Sequence, residues 1–95
     1  MTEVTVLIPT PLRKFTGGAG RVQAEGATVA AVVASLSAQH PSLAEQLLDD
    51  SGDIRRFVNV FVNGKNVRDA EGMATSLVQG DEIGIIPAMA GGSRR

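Results

Sequence analysis

The chain has no cysteine, no tryptophan and no tyrosine, and it has only three phenylalanines and one histidine. Without cysteine there is no disulfide framework, no thiolate zinc site and no thiol nucleophile. A single histidine, His40, leaves a metal centre short of ligands, so none is expected. An excess of either charge is also missing. Nine Lys and Arg stand against ten Asp and Glu, a net charge of -1, and no global basic field is present to attract nucleic acid. No stretch approaches the roughly 20 apolar residues of a membrane span. The first residues, MTEVTVLIPTPLRK, begin polar and then alternate, so no signal peptide is expected. A cysteine-free chain of this kind fits a reducing compartment, and the expected location is the cytoplasm.

What is present describes a small folded unit. At 95 residues the chain is expected to form one domain. Its 43% hydrophobic and 20% charged residues are ordinary for a globular protein and argue against disorder. With aromatics scarce, the core has to be aliphatic. Glu3 to Pro9 alternates as a half-buried strand, which Pro9 and Pro11 end by removing ladder donors. KFTGGAGR reads as a glycine-rich bend, and Arg21 to Glu25 as a second strand pairing back. Thr28 is a helix N-cap, followed by Val29, Val32, Val33 and Leu36 on one helical face. His40-Pro41 should end that helix. Ser42 is expected to cap another turn or two bearing Leu43, Leu47 and Leu48.

Arg55 to Asn63 (RRFVNVFVN) is the clearest strand, with Val58, Val60 and Val62 on one face and Phe57, Asn59 and Phe61 on the other. Asn63-Gly64 signals a hairpin returning through KNVR. A short helical turn near Met73 to Leu77 and a last strand, Glu82 to Pro87, complete the order. Hairpins around one main helix predict an α+β domain with a mixed sheet, its helix covering one face. A last strand lying beside the first would make it the ubiquitin-like β-grasp, which chain order alone does not fix.

Most candidate sites reduce to structure. Gly17-Gly18-Ala19-Gly20 precedes a strand rather than a helix and lacks the Lys-Ser/Thr of a phosphate loop, so it reads as a hairpin loop. Asp49, Asp50 and Asp53 lack calcium-loop spacing and read as a solvated loop. Arg55, Arg56, Lys65 and Arg68 read as solvated strand ends. No serine elbow or acid/base pair marks an enzyme. Two features remain. Leu7, Phe57, Phe61 and Ile86 are expected to form an apolar docking patch on the sheet face the helix leaves open. Beyond Pro87 comes AMAGGSRR. Ala88 to Gly92 can extend roughly 16 Å at about 3.3 Å per residue. Gly91 and Gly92, lacking Cβ atoms, can enter a slot closed to other residues.

From Asp81-Glu82-Ile83 through Ile86-Pro87 to Ala90-Gly91-Gly92, together with RFVNVFVNGKNVR, the sequence resembles the ThiS/MoaD-type sulfur carriers over essentially its whole length, most closely the CysO-like branch of cysteine biosynthesis. The resemblance implies a β-grasp domain over residues 1–87 and a flexible Gly-Gly tail over residues 88–95. It implies a protein co-substrate rather than an enzyme. An E1-like adenylating enzyme would use ATP to activate the carboxylate of Gly92, and a sulfur donor would convert it to a thiocarboxylate. In the cysteine branch, that sulfur would attack an aminoacrylate held by a PLP-dependent cysteine synthase. A JAMM-type zinc metalloprotease would then release the product. The carrier itself would bind no cofactor.

In this sequence Ser93-Arg94-Arg95 follow Gly92. They are expected to be a removable extension, with Gly92-Ser93 the scissile bond. Its loss takes two of nine basic residues and moves the net charge from -1 to -3. Alternatives are a molybdopterin synthase small subunit, a carrier for thiamin or a sulfur-containing natural product, and, in another class, a ubiquitin-like modifier joined to lysines through Gly92.

Overall fold

The strand that comes last in the chain lies in the middle of the sheet. The computed structural model describes residues 2–87, and all statements here concern those. The strands are β1 (Glu3–Leu7), β2 (Arg21–Glu25), β3 (Val58–Val62), β4 (Lys65–Asn66) and β5 (Glu82–Pro87), in the order β2-β1-β5-β3-β4. β5 runs parallel to β1 and antiparallel to β3. Antiparallel pairs β1–β2 and β3–β4 close the flanks. This is the mixed β-grasp sheet that the sequence left open.

Local chemistry explains most boundaries. Helix α1 (Val29–Gln39) starts where the Thr28 hydroxyl accepts a hydrogen bond from the Ala31 amide at 3.2 Å. Its Val29, Val32, Val33 and Leu36 are all buried against the sheet. At Gly26 the helix and the end of β2 come so close that a Cβ would stand 2.6 Å from the Val32 nitrogen, so a side chain there would displace the helix. The β3–β4 turn holds Asn63 and Gly64 at φ 50° and 89°, the left-handed pair that two-residue hairpins need.

Several expectations need correction. The return strand is shorter than KNVR, since β4 ends at Asn66 and Val67–Asp69 forms a 3-10 turn. Helix α2 (Pro41–Leu47) begins directly at Pro41 with His40, not Ser42, at the cap. A proline at the first helical position loses no hydrogen bond, so the same residue that ends α1 can open α2. Leu43, Ala44 and Leu47 are buried, so α2 extends the cover that α1 provides. The supposed glycine-rich bend is also more ordered than expected. Thr10–Thr16 forms a 3-10 helix that buries Leu12 and Thr16, and only then does the chain turn through Gly17 and Gly18. The buried Thr16 hydroxyl donates to the Ala19 carbonyl at 2.9 Å, which meets the requirement that a buried polar group be bonded.

The core lies between the helices and one face of the sheet. Val4 and Val6, Val22 and Ala24, Val58 and Val60, and Ile83 and Ile85 alternate inward along their strands, none above 8% exposed. Each large aliphatic side chain buried there contributes about 1.5–3 kcal/mol relative to exposure. Among the described residues no helix is long and apolar enough to cross a membrane.

Candidate tail platform and docking face

The end of β5 is the point from which residues 88–95 continue. The start of that strand is held by several polar contacts. The Asn63 side chain donates to Asp81 Oδ1 at 2.9 Å and accepts from the Glu82 amide at 3.0 Å. Asp81 Oδ2 accepts from the Val78 amide at 2.9 Å, and the Asp81 carbonyl accepts from the Thr5 amide at 3.1 Å. β5 then pairs with Thr5–Leu7 of β1 over Glu82–Gly84 and with Val58–Val62 of β3 over Ile83–Pro87, so that its last three residues are held by β3 alone. A tail that follows a strand laid into the sheet leaves from a fixed point, which limits where its far end can reach.

The outer face of the sheet, opposite the helices, carries most of the expected docking patch. The register places Arg21, Leu7, Gly84, Phe61 and Asn66 in one row across all five strands. Gly84 supplies no side chain between Leu7 and Phe61, and open space lies where its Cβ would be. The row therefore has an apolar dip at its centre. Ile86 lies on the same face in the next row, opposite Asn59, and is 54% exposed. Leu7 and Phe61 are half-buried.

Phe57 does not join this row. Arg55 to Val58 close a turn, with the Val58 amide donating to the Arg55 carbonyl at 3.0 Å, so β3 begins only at Val58. Phe57 stands 55% exposed and lines a separate cleft with Phe15 and Pro87. Strand alternation does not reach Phe57, because the backbone there is in a turn.

Two of the basic residues of the hairpin, Arg55 and Arg68, have structural partners. Arg68 donates from Nη1 to Asn59 Oδ1 at 2.8 Å and from Nη2 to the Arg55 carbonyl at 2.9 Å. It ties the entry of β3 to the segment after β4, a role its place in the sequence did not suggest. Asp49 organises the acidic loop. Its Oδ1 accepts from the Ser51 hydroxyl at 2.6 Å, the Ser51 amide at 2.9 Å and the Asp53 amide at 3.1 Å. The Ser51 hydroxyl first, and the Asp53 amide after it, hold its carboxyl below the ordinary aspartate value. Among the described residues no cluster of His, Asp or Glu could hold a metal ion. Ala90, Gly91, Gly92 and Ser93 lie outside the described residues.

Sequence reasoning missed Gly84 as a site element. Its signal was present in EIGIIP, where a glycine interrupts an otherwise aliphatic strand and so marks a place of open or close approach.

Comparison with known proteins agrees with this geometry. The model of the ThiS family matches residues 6–92. The sulfur carrier protein CysO of Mycobacterium tuberculosis is 47% identical over 92 residues, covering 95% of this chain and 99% of that protein. Its crystal structure superposes with a TM-score of 0.84 at 45% identity, covering 90% of this chain and 99% of that one. A chain of the BexX/CysO complex of Amycolatopsis orientalis gives a TM-score of 0.87 at 40% identity, with 93% and 98% coverage. Small archaeal modifier protein 3 of Haloferax volcanii is 43% identical over 68 residues, covering 72% of this chain and 73% of that protein.

Proposed function

Because the chain belongs to the ThiS family, we propose that it is a sulfur carrier whose working group is the main-chain carboxylate of Gly92, exposed by cleavage of the Gly92-Ser93 bond. Hydrolysis of that bond releases Ser93-Arg94-Arg95 and leaves a carboxylate on Gly92. Attack of the carboxylate on the α-phosphorus of ATP forms an acyl adenylate and expels pyrophosphate. A sulfur nucleophile then displaces AMP, leaving a thiocarboxylate. An E1-like enzyme performs the adenylation, a protease the cleavage and a sulfur donor the last step, and this chain supplies the substrate group and the surface that positions it. The 47% identity to a CysO carrier favours cysteine biosynthesis as the destination. There a PLP-dependent synthase is the acceptor and a JAMM-type metalloprotease releases the product. The carrier needs no bound cofactor, since ATP belongs to the activating enzyme.

The observation that carries this reading is the placement of β5. The strand lies in the middle of the sheet, its last three residues paired with β3, and it ends at Pro87, five residues before Gly92. A fixed starting point and a chain of small residues allow the carboxylate to enter another protein's active site. The outer face around Leu7, Gly84, Phe61 and Ile86 provides the docking area that orients it.

Mass spectrometry of the protein from its native cells tests the reading. Loss of Ser-Arg-Arg together with exchange of one oxygen for sulfur is the expected outcome. An intact, unmodified chain under sulfur demand would count against it. The likeness to a small archaeal modifier protein favours a second reading, conjugation of Gly92 to lysines. That reading predicts higher-mass conjugates in the same experiment.

A further inference from the structure

Near the end of β5, on the side away from the Leu7–Phe61 row, a cleft of about 280 Å³ opens between the 3-10 helix and the turn before β3. Leu12 and Val58, both buried, line it with the half-buried Phe15 and Pro87. Phe57 reaches out from it to solvent. Its lining holds two cations, Lys14 and Arg55, and no acid among the described residues. Arg55 is already engaged, donating from Nε to the Glu45 carbonyl at 3.2 Å and facing the charge of Asp49. Lys14 makes no such hydrogen bond with the described residues. Its Nζ stands 5.3 Å from the centre of the Phe15 ring, at the border of the apolar surface. The cleft is therefore a positive, aromatic-walled spot on a chain whose net charge is negative. It also adjoins the root of the tail, because Pro87 is part of its lining.

We propose that this cleft is a second docking site, which takes an Asp- or Glu-bearing, otherwise apolar segment of the activating enzyme that receives the tail. The proposal rests on the carrier reading above. Three observations select this occupant. The local charge calls for a carboxylate. An exposed aromatic beside buried aliphatics is the usual composition of an interface anchor. Finally, an enzyme that closes around Gly92 must approach along a tail rooted at the cleft's edge. The carboxylate pairs with Lys14 at the rim, and an apolar neighbour covers Phe57. The outer face orients the carrier, and the cleft fixes the direction in which the tail leaves it.

The test uses the chain ending at Gly92 and its cognate ATP-dependent activating enzyme, with Kd measured by calorimetry. Lys14→Glu and Lys65→Glu change the net charge equally, and these are the two lysines of the chain. Lys65 lies in the exposed β3–β4 hairpin, away from the cleft. Lys14→Glu should weaken binding about tenfold and Lys65→Glu less than about twofold. Phe57→Ala should weaken binding about tenfold with an unchanged melting temperature. Added salt should weaken the native pair more steeply than the Lys14→Glu pair. Equal effects of the two lysine changes, or none, would overturn the proposal. If Phe61→Asp then still abolished binding, the carrier reading would survive. A chain ending at Gly92, with no other change, that is neither bound nor adenylated would sink both. The Phe57 ring resonances of the full chain and of a chain ending at Pro87 should coincide. A shift between them would show the chain's own tail in the cleft and overturn the assignment to a partner.

Discussion

The two faces of the sheet are built from the same five strands and have opposite duties. On the inner face Val4, Val6, Val58, Val60, Ile83 and Ile85 are buried against α1 and α2. On the outer face Leu7, Gly84, Phe61 and Ile86 form an apolar strip without helical cover among the described residues. Side chains alternate with a period of two, so adjacent residues such as Ile85 and Ile86 serve different ends. Ile85 is 4% exposed and Ile86 is 54% exposed. Apolar character alone does not separate stability from docking, and position relative to the helices does.

Substitutions can test that division. The largest effect on folding belongs inside. Leu36→Ala, at a residue 2% exposed, should cost about 2–5 kcal/mol in denaturant unfolding, while the folded fraction should still bind the activating enzyme. Outside, Phe61→Asp should cost about 0.5–1 kcal/mol of stability, because an aspartate fits a strand less well than a half-buried aromatic, and weaken enzyme binding by about tenfold or more, about 1.4 kcal/mol. A large stability loss with normal binding would mean that Phe61 serves the core. Between these lies Thr28→Ala, which removes the α1 cap and should cost about 1 kcal/mol by thermal or chemical unfolding without altering binding.

Gly84→Ala is a finer probe, because the position has open space. Stability should stay within about 0.5 kcal/mol, while binding weakens if a partner side chain seats between Leu7 and Phe61. The smallest effect concerns pH. Asp49 has a depressed folded-state pKa, so its contribution is complete above the ordinary aspartate value and disappears as pH falls through the lowered one. Asp49→Asn should flatten that acid limb of the stability profile and leave binding unchanged.

Much of the fold was legible in short stretches. The bounds of β2 and β5, the Thr28 cap and the Asn63-Gly64 hairpin each follow from residues within a few positions of one another. The tail was legible as a motif, though its residues lie beyond those described. Less legible were the 3-10 helix at Thr10–Thr16, hidden by its prolines and following glycines, and the proline that opens α2. Phe57 shares the sequence parity of Phe61 but sits in a turn, and periodicity carries no information where the backbone is not extended.

By itself the sequence determined β1, β2, β5 and the main helix, the Asn63-Gly64 turn, and that a glycine pair follows the last strand. These outcomes depend on steric preferences and hydrogen bonds reaching only a few residues along the chain. Only the tertiary structure decided that β5 enters between β1 and β3, that Leu7 and Phe61 face each other across Gly84, and that Phe57 and Lys14 border one cleft. Those pairings join residues separated by some twenty to eighty positions. They form only when burial of the shared aliphatic core offsets the entropy of closing such long loops.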